Sequence, residues 1–590
     1  MEDAAAPPAA PAGLSRPAAA PGPARGRRAA LIVSAALALF QLALLAHTAS
    51  DKSDTGDEPT YLGAAALLWT HGDYAFNCEA PALPKWGFAL ALRLVDPRFV
   101  DTPPESDRAI AHVLWARPLE EMRRNLFAAR IATAIVTVLG GLFLAAACSR
   151  FSVAAGLGAH ALWCVSPALL ASGSLATLDA WAASLLAVAL WAAVRLVEVP
   201  DDLRAAVLGA TLGLAGATKA TTLAAVPVAL AVGAWAVARS ARARGRAAGR
   251  PLASGSAALL TSAFLALWAV YGFRLGDVDT RRFAEVYGAL GASFGPVPFA
   301  EWIRGLLTQA ALGARGHRTY LFGEVRQHGW WWFYLAVLAL KTTVGAQALA
   351  VSRLGAWARC RPSRASLLVD AALVAYPLLL LATLSLGRTQ TGVRYALPLY
   401  PFLIAWGARA IPDLRGAFGK GGRVFAAVCL AASAAESLAI HPHHLMFFSR
   451  WVGGPTNGPR YLIVGDDWGQ DQRRLGEWQR EGGIPAIFYA PYSGTPQKWG
   501  IRYTEVPCTP RRGVYALQAV EVHRPRRVDE GCLDWLTVEP PDERIGYSIY
   551  IYYVNKERLE RLAAERGKVT PFWQSGAPSP AAAPAPEPSP

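Results

Sequence analysis

The chain has 590 residues, of which 53% are hydrophobic and only 17% charged, with a formal net charge of +15. That composition is too apolar and too poor in charge for a soluble globular protein. The positive excess does not point to nucleic acid, because the basic residues cluster between apolar runs, as in the cytoplasmic loops of a polytopic membrane protein. In chain order, residues 1–28 are rich in Ala and Pro and read as a disordered cytoplasmic tail. The apolar run 29–46 follows Arg25, Arg27 and Arg28 and reads as a first span. A cleaved signal peptide is the competing reading, with Ala46-His47-Thr48-Ala49 as the site; the length of the run and the many spans behind it argue against cleavage.

Ten further spans are predicted at 131–148, 152–171, 178–194, 205–218, 221–238, 253–273, 331–350, 366–386, 395–408 and 424–440. The expected fold class is therefore an α-helical polytopic protein of about eleven transmembrane helices. The protein is expected in the cytoplasmic (inner) membrane, with the N-terminus on the cytoplasmic side and the C-terminal part outside. Arg239–Arg250, Arg353–Arg364 and Arg409–Arg423 are basic clusters that all land on the inner side under this scheme. Residues 51–110 carry ten acids against five bases and face outward. The transmembrane domain runs over 29–440, with long outer loops at 47–125 and 274–330. A small extracytoplasmic α/β domain is expected at 441–573, with strands at 460–464, 484–489 and 514–522 and a helix at 470–481. Residues 574–590 form an Ala/Pro tail. Seven cysteines show no metal-type spacing; Cys508 and Cys532 lie where an oxidising compartment permits a disulfide, which spacing alone does not establish.

Asp57 and Glu58 stand at the start of the first outer loop. Two adjacent carboxylates beside a membrane are costly to desolvate unless a cation or a protic group meets them. There they suit an enzyme that draws its donor from the bilayer, taking a proton from an acceptor hydroxyl or holding a divalent ion. The bland reading is a solvated pair of loop acids. Lys85, Lys219 and Arg394 are predicted outward, membrane-proximal cations, with snorkelling to headgroups as the bland reading. Asp179 lies at an outer span end, as a second site acid or a helix cap. Lys341 falls inside an apolar run and is expected to be packed or paired. The run His441-Pro442-His443-His444 reads as a span terminus rather than a metal site.

The stretches Asp57-Glu58, Gly72-Asp73-Tyr74, Glu79-Ala80-Pro81 through Lys85, Leu175-Ala176-Thr177-Leu178-Asp179, Thr218-Lys219, Tyr320-Leu321-Phe322-Gly323-Glu324, Gly392-Val393-Arg394-Tyr395 and Asp467-Trp468-Gly469-Gln470-Asp471 occur in one order, on one side. Together they resemble the GT-C glycosyltransferases, most closely family 39, the protein mannosyltransferase and lipid A aminoarabinose transferase relatives of bacterial type. The resemblance implies inverting transfer of a sugar from a polyprenyl-phosphate donor to an acceptor hydroxyl on a protein, lipid or glycan. It implies Asp57 as general base, Glu58 and Asp179 as further catalytic acids, and Lys85, Lys219 and Arg394 on the donor phosphate. Tyr61, Tyr320, Asp467, Gln470 and Asp471 become candidate substrate-binding residues. Glu79, His317 and Glu324 are candidate ligands for a divalent ion, as some relatives hold. The alternative is a lipid-linked sugar flippase or transporter, against which stand the acids gathered at the outer face and the lack of an internal repeat.

Overall fold

The structure, a computed structural model, describes residues 24–101, 112–245, 249–280, 293–359, 363–491, 494–524 and 531–565. The expected tails, save 24–28, lie outside them. The helices that matter for the site are α1 (Ala24–Asp51), α2 (Glu58–His71), α3 (Ala82–Val95), α4 (Leu119–Cys148), α5 (Val153–Cys164), α6 (Pro167–Gly173), α7 (Asp179–Glu198) and α8 (Asp202–Gly216). They continue as α9 (Ala225–Ala243), α10 (Gly249–Val270), α11 (Ala300–Arg315), α12 (Phe333–Lys341), α13 (Val344–Arg359), α14 (Arg364–Leu386), α15 (Tyr400–Leu438) and α16 (Gln472–Glu481).

Among the described residues, seven helices are long and apolar enough to cross a bilayer, and nine spans result if each of two bent pairs counts as one. Length and apolarity alone do not confirm the expected eleven, and several of the predicted spans are bent or short. The predicted span 152–171 breaks into α5 and α6 at Val165-Ser166-Pro167, bent by 57°, because Pro167 cannot donate to the helix ladder. The span 331–350 breaks by 114° between α12 and α13. The predicted span 205–218 is the 15-residue α8. It packs on α10 through Gly209 and Gly213, four apart, where an added Cβ would come within 2.2 Å of the Leu259 and Ala263 carbonyl oxygens. The last two predicted spans fuse into the 39-residue α15, which is broken at Gly419, at φ 57°, ψ −124°. Its two halves lie against one partner: Asp413 accepts from Arg353 on α13 at 2.9 Å, and Ser433 accepts from Thr343 just before α13 at 3.1 Å. Twenty helical residues would span about 30 Å if straight, whereas ten cover about 15 Å, so α15 doubles back at Gly419.

The C-terminal region carries a five-stranded mixed sheet, in the order Tyr503–Thr504, Ile487–Ala490, Gly513–Gln518, Ile549–Val554, Glu543–Ile545. Two hairpins precede it, β1 (Leu275–Val278) with β2 (Phe294–Pro298), and β3 (Thr319–Leu321) with β4 (Glu324–Arg326). The sheet strands are β5 (Ile487–Ala490), β6 (Tyr503–Thr504), β7 (Gly513–Gln518), β8 (Glu543–Ile545) and β9 (Ile549–Val554). The strand expected at 460–464 is not formed: Gly458–Arg460 is a 3₁₀ turn, and only Leu462 pairs, with Leu321. The strand expected at 514–522 stops at Gln518, where Ala519–His523 turns helical. Cys508 and Cys532 are disulfide-bonded. The sheet shares a core with the outer-loop helices, since Leu475, Tyr489 and Ile549 pack in one cluster with Leu62, Phe88 and Leu126.

Candidate functional site

Four chain segments far apart in sequence meet at one end of the bundle. Asp57 precedes α2 with φ −91°, ψ −27°, and its carboxylate makes no helix-capping bond, so it is free to turn outward. Asp179 opens α7. Lys219 lies in extended backbone between α8 and a 3₁₀ turn, Ala220–Ala224. Its loop is anchored from two sides, by Leu83 N–H on the Ala217 carbonyl at 3.0 Å and Trp302 Nε1–H on the Gly216 carbonyl at 3.0 Å. Arg394 sits in the one-turn helix Val393–Ala396, which starts at Gly392. Gly392 has φ 71°, and an added Cβ would stand 1.8 Å from the Val464 carbonyl oxygen; no other residue fits there.

These side chains form one chain of ion pairs. Arg394 Nη1 donates to Asp57 Oδ2 at 2.7 Å, and its Nε donates to Asp179 Oδ2 at 3.2 Å. Lys219 Nζ donates to Asp179 Oδ1 at 2.6 Å and lies 3.9 Å from the centre of the Tyr395 ring. The Arg394 guanidinium lies 4.4 Å from the Trp468 ring centre. Tyr61, one turn along α2, reaches Asp57 Oδ2 at 3.5 Å. Exposure falls from 41% at Asp57 to 18% at Arg394 and 2% at Asp179. Asp179 is therefore a buried counter-ion that both cations share, while Asp57 meets solvent. Among the described residues, Asp57 Oδ1 and Arg394 Nη2 make no hydrogen bond. An unused acceptor and an unused cationic donor stand side by side at the mouth of the cluster, an arrangement suited to an anion and a hydroxyl at once.

No protein-family model and no curated protein matches the chain. Solved structures do. One is ArnT from Cupriavidus metallidurans bound to undecaprenyl phosphate, at 12% identity and TM-score 0.42, covering 90% of this chain and 98% of that one. ArnT in the apo state gives 12% identity and TM-score 0.43, covering 89% and 98%. The Archaeoglobus fulgidus oligosaccharyltransferase AglB, in complex with an inhibitory peptide and a dolichol-phosphate, gives 12% identity and TM-score 0.40, covering 78% of this chain and 59% of that one. At such identities and scores the likeness assigns no role to any residue.

The other residues singled out in the sequence fall elsewhere. Glu58 is buried and saturated: Arg130 Nε and Nη2 donate to it at 2.7 and 2.6 Å, the Thr55 N–H and Oγ–H at 2.9 and 3.0 Å, and the Ala176 N–H at 2.8 Å. With every lone pair engaged it has no capacity for an acceptor or a metal. Burial pushes its carboxyl up, and Arg130 with these donors outweighs that, holding it below the usual range. Lys85 is buried on the Phe76 and Asn77 carbonyls at 3.1 and 2.7 Å, and burial lowers it to about 8 against the pull of Glu79. It staples its own loop and has no bond to the ion-pair chain.

Tyr320 is buried, its hydroxyl donating to the Arg460 carbonyl at 2.7 Å, and binds β3 to the chain beneath it. Glu324 pairs with Arg326 at 2.7 Å on the exposed hairpin, and Glu79 accepts from Asn77 at 2.7 Å. Together with His317 they form no ligand set: among the described residues no three His, Cys, Asp or Glu side chains come together to hold a metal.

The acids of Asp467-Trp468-Gly469-Gln470-Asp471 are buried and engaged within the protein. Asp471 accepts from Lys52 Nζ and Ser548 Oγ, both at 2.6 Å. Gln470 closes its own loop, accepting from Trp468 N–H at 2.7 Å and donating to the Asp466 carbonyl at 2.9 Å. Asp467 accepts from Val520 N–H at 3.2 Å; burial pushes it up to about 8. The contribution of this motif to the site is Trp468, under Arg394, a residue not among the expected site residues. Lys341 is paired as expected, with Asp466 at 2.6 Å and over the Phe448 ring at 3.4 Å.

Proposed function

We propose that the chain is a membrane glycosyltransferase that moves a sugar from a polyprenyl-phosphate donor to an acceptor hydroxyl of a protein, lipid or glycan, on the outer face of the cytoplasmic membrane. The observation that carries the reading is the convergence of Asp57, Asp179, Lys219 and Arg394 from four segments, with Asp57 exposed and the two cations sharing a buried acid. The order of motifs in the sequence supports it independently.

Two carboxylates meet two cations, so the cluster is neutral before a donor arrives. A phosphodiester brings one negative charge. Its oxygens accept from Arg394 Nη2 and Lys219 Nζ and compete with Asp57 for the guanidinium. Asp57 is loosened as the phosphate seats, and a neighbouring anion raises its proton affinity, which improves it as a base. Asp57 then takes the proton of the acceptor hydroxyl as that oxygen attacks the anomeric carbon. The new C–O bond forms while the bond to the phosphate oxygen breaks, and the lipid phosphate leaves with the electron pair. Lys219 and Arg394 stabilise the charge that develops on it. A single displacement inverts the anomeric centre, and one carboxylate suffices because the phosphate leaves without a strong general acid. Asp179 touches neither reactant; it positions the cations.

Asp57→Asn is expected to lower transfer from a radiolabelled polyprenyl-phosphate sugar by roughly 10²–10⁴-fold in detergent, with membrane abundance unchanged. Full activity in that variant removes Asp57 from the mechanism.

A further inference from the structure

A crevice of about 1970 Å³ runs along the bundle from Ala225, just past the turn that follows Lys219, to the end opposite the ion-pair cluster. α7 connects the two ends: Asp179, in the cluster, is its first residue, while Arg195 and Glu198, in its last turn, line the crevice, about 24–28 Å further along the helix. The volume is well above the ~300–1,000 Å³ of small-molecule pockets. Its walls are apolar, built by Leu190, Val194, Val228, Val232, Leu368 and Tyr376 from α7, α9 and α14.

Four arginines line it: Arg27 from α1, Arg150 after α4, Arg195 from α7 and Arg239 from α9. One carboxylate, Glu198, opposes them, and both Arg150 and Arg195 already donate to it. Arg27 is exposed at the start of α1, and Arg239 donates to the Val197 carbonyl at 3.3 Å while lying 4.9 Å from the Trp235 ring centre. Among the described residues these two guanidiniums meet no carboxylate, and they rim the apolar slot.

We propose that the crevice binds one diacyl phospholipid with an anionic headgroup, drawn from the leaflet opposite the catalytic cluster. Its acyl chains lie along α7, α9 and α14, and its phosphate meets Arg27 and Arg239. Charge and shape favour this occupant: the unopposed cations call for an anion, and the slot above them for hydrocarbon.

The test is native mass spectrometry of the delipidated full chain in detergent, titrated separately with phosphatidylglycerol, phosphatidylcholine and undecaprenyl phosphate. Phosphatidylglycerol is expected to bind about tenfold better than phosphatidylcholine, and Arg27→Gln with Arg239→Gln to abolish that preference. Arg239→Lys, which keeps the charge, retains it, and Val232→Trp, which fills the slot, lowers binding of both lipids. An unchanged melting temperature in the double variant separates this result from misfolding. Equal binding of the two phospholipids, or adducts that survive Val232→Trp, would overturn the proposal. So would displacement of phosphatidylglycerol by undecaprenyl phosphate at the same slot, which would give the crevice to the donor's tail. The outcome is independent of the Asp57→Asn result.

Discussion

Asp57 and Glu58 are neighbours in sequence and opposites in role. Glu58 neutralises Arg130, which is buried and also donates to the Ala49, Lys52 and Ser53 carbonyls at 2.8, 2.9 and 2.7 Å. One guanidinium thereby gathers the end of α1, the loop after it and the start of α2. Removing the negative partner leaves an uncompensated buried cation, which costs about 3–5 kcal/mol. Glu58→Gln should therefore lower the melting temperature and membrane abundance, whereas Asp57→Asn should lower transfer alone. A stable Glu58→Gln protein with lost transfer would return Glu58 to the chemistry. The positions of Asp57, Lys219 and Arg394 are legible in sequence, because a charge at the end of an apolar run is expensive unless it has a partner. Which partner it has is not legible. Glu58 meets Arg130 across 72 residues, and no local pattern fixes such a pairing. For the same reason Lys85 reads from sequence like Lys219, although one is spent on backbone carbonyls and the other on Asp179.

Two short elements carry the site from below. The first is the turn into Val393–Ala396. Gly392 is held at φ 71°, ψ −156° against the Val464 carbonyl, a conformation that strains any other residue by about 1–3 kcal/mol. Gly392→Ala must push this turn from the 464 loop and move Arg394 off both carboxylates. Transfer is expected to fall by about a hundredfold, the cost of a displacement near 1 Å; wild-type kcat in that variant would show that Arg394 tolerates the shift. The second is the 466–471 loop. Burial raises Asp467 to about 8, with Asp471 and Glu521 adding to the effect and backbone N–H groups opposing it. The folded state thus keeps a proton that the unfolded chain releases near pH 4. Stability should fall as pH rises from about 4 to 8 and level off above. Asp467→Asn, which carries no proton to lose, should flatten the melting temperature over that interval; an unaltered slope would mean that other groups set it. The helix 470–481 is nearly where its periodicity places it. The strand at 549–554 was missed although its Ile-Tyr-Ile-Tyr-Tyr-Val run is the most β-prone in the region. The bends in α5–α6 and α12–α13 are not legible because hydropathy averages over a window and is blind to direction, whereas the basic cluster Arg409–Arg423 marks the reversal of α15 at Gly419.

The whole molecule works as one body because its sheet is bolted to its spans by buried charges. Lys341 on α12 meets Asp466, and Lys52, just after α1, meets Asp471 at 2.6 Å with both side chains almost fully buried. Ser53 adds its N–H on the Gln470 carbonyl at 3.0 Å and its hydroxyl on the Gly469 carbonyl at 2.7 Å. Asp54, in turn, accepts the indole N–H groups of Trp115 and Trp499 at 2.8 and 2.9 Å, and burial raises its carboxyl against those two bonds. This junction holds the loop from which Trp468 reaches under Arg394, so the sheet helps to shape a site whose charges all come from the membrane half. The physics of buried pairs makes the coupling measurable. Lys52→Met strands Asp471 without its main cation and should cost about 3–5 kcal/mol. In Asp471→Asn the amide oxygen still accepts from Ser548 and Lys52 keeps Asp51 at 3.3 Å, so the cost should be smaller. The double variant leaves no unpaired charge and should be far less damaged than the sum of the two, a coupling of up to about 3 kcal/mol for groups in contact. Thermal unfolding of the four purified proteins measures it. Strict additivity would mean that the two residues do not act on each other.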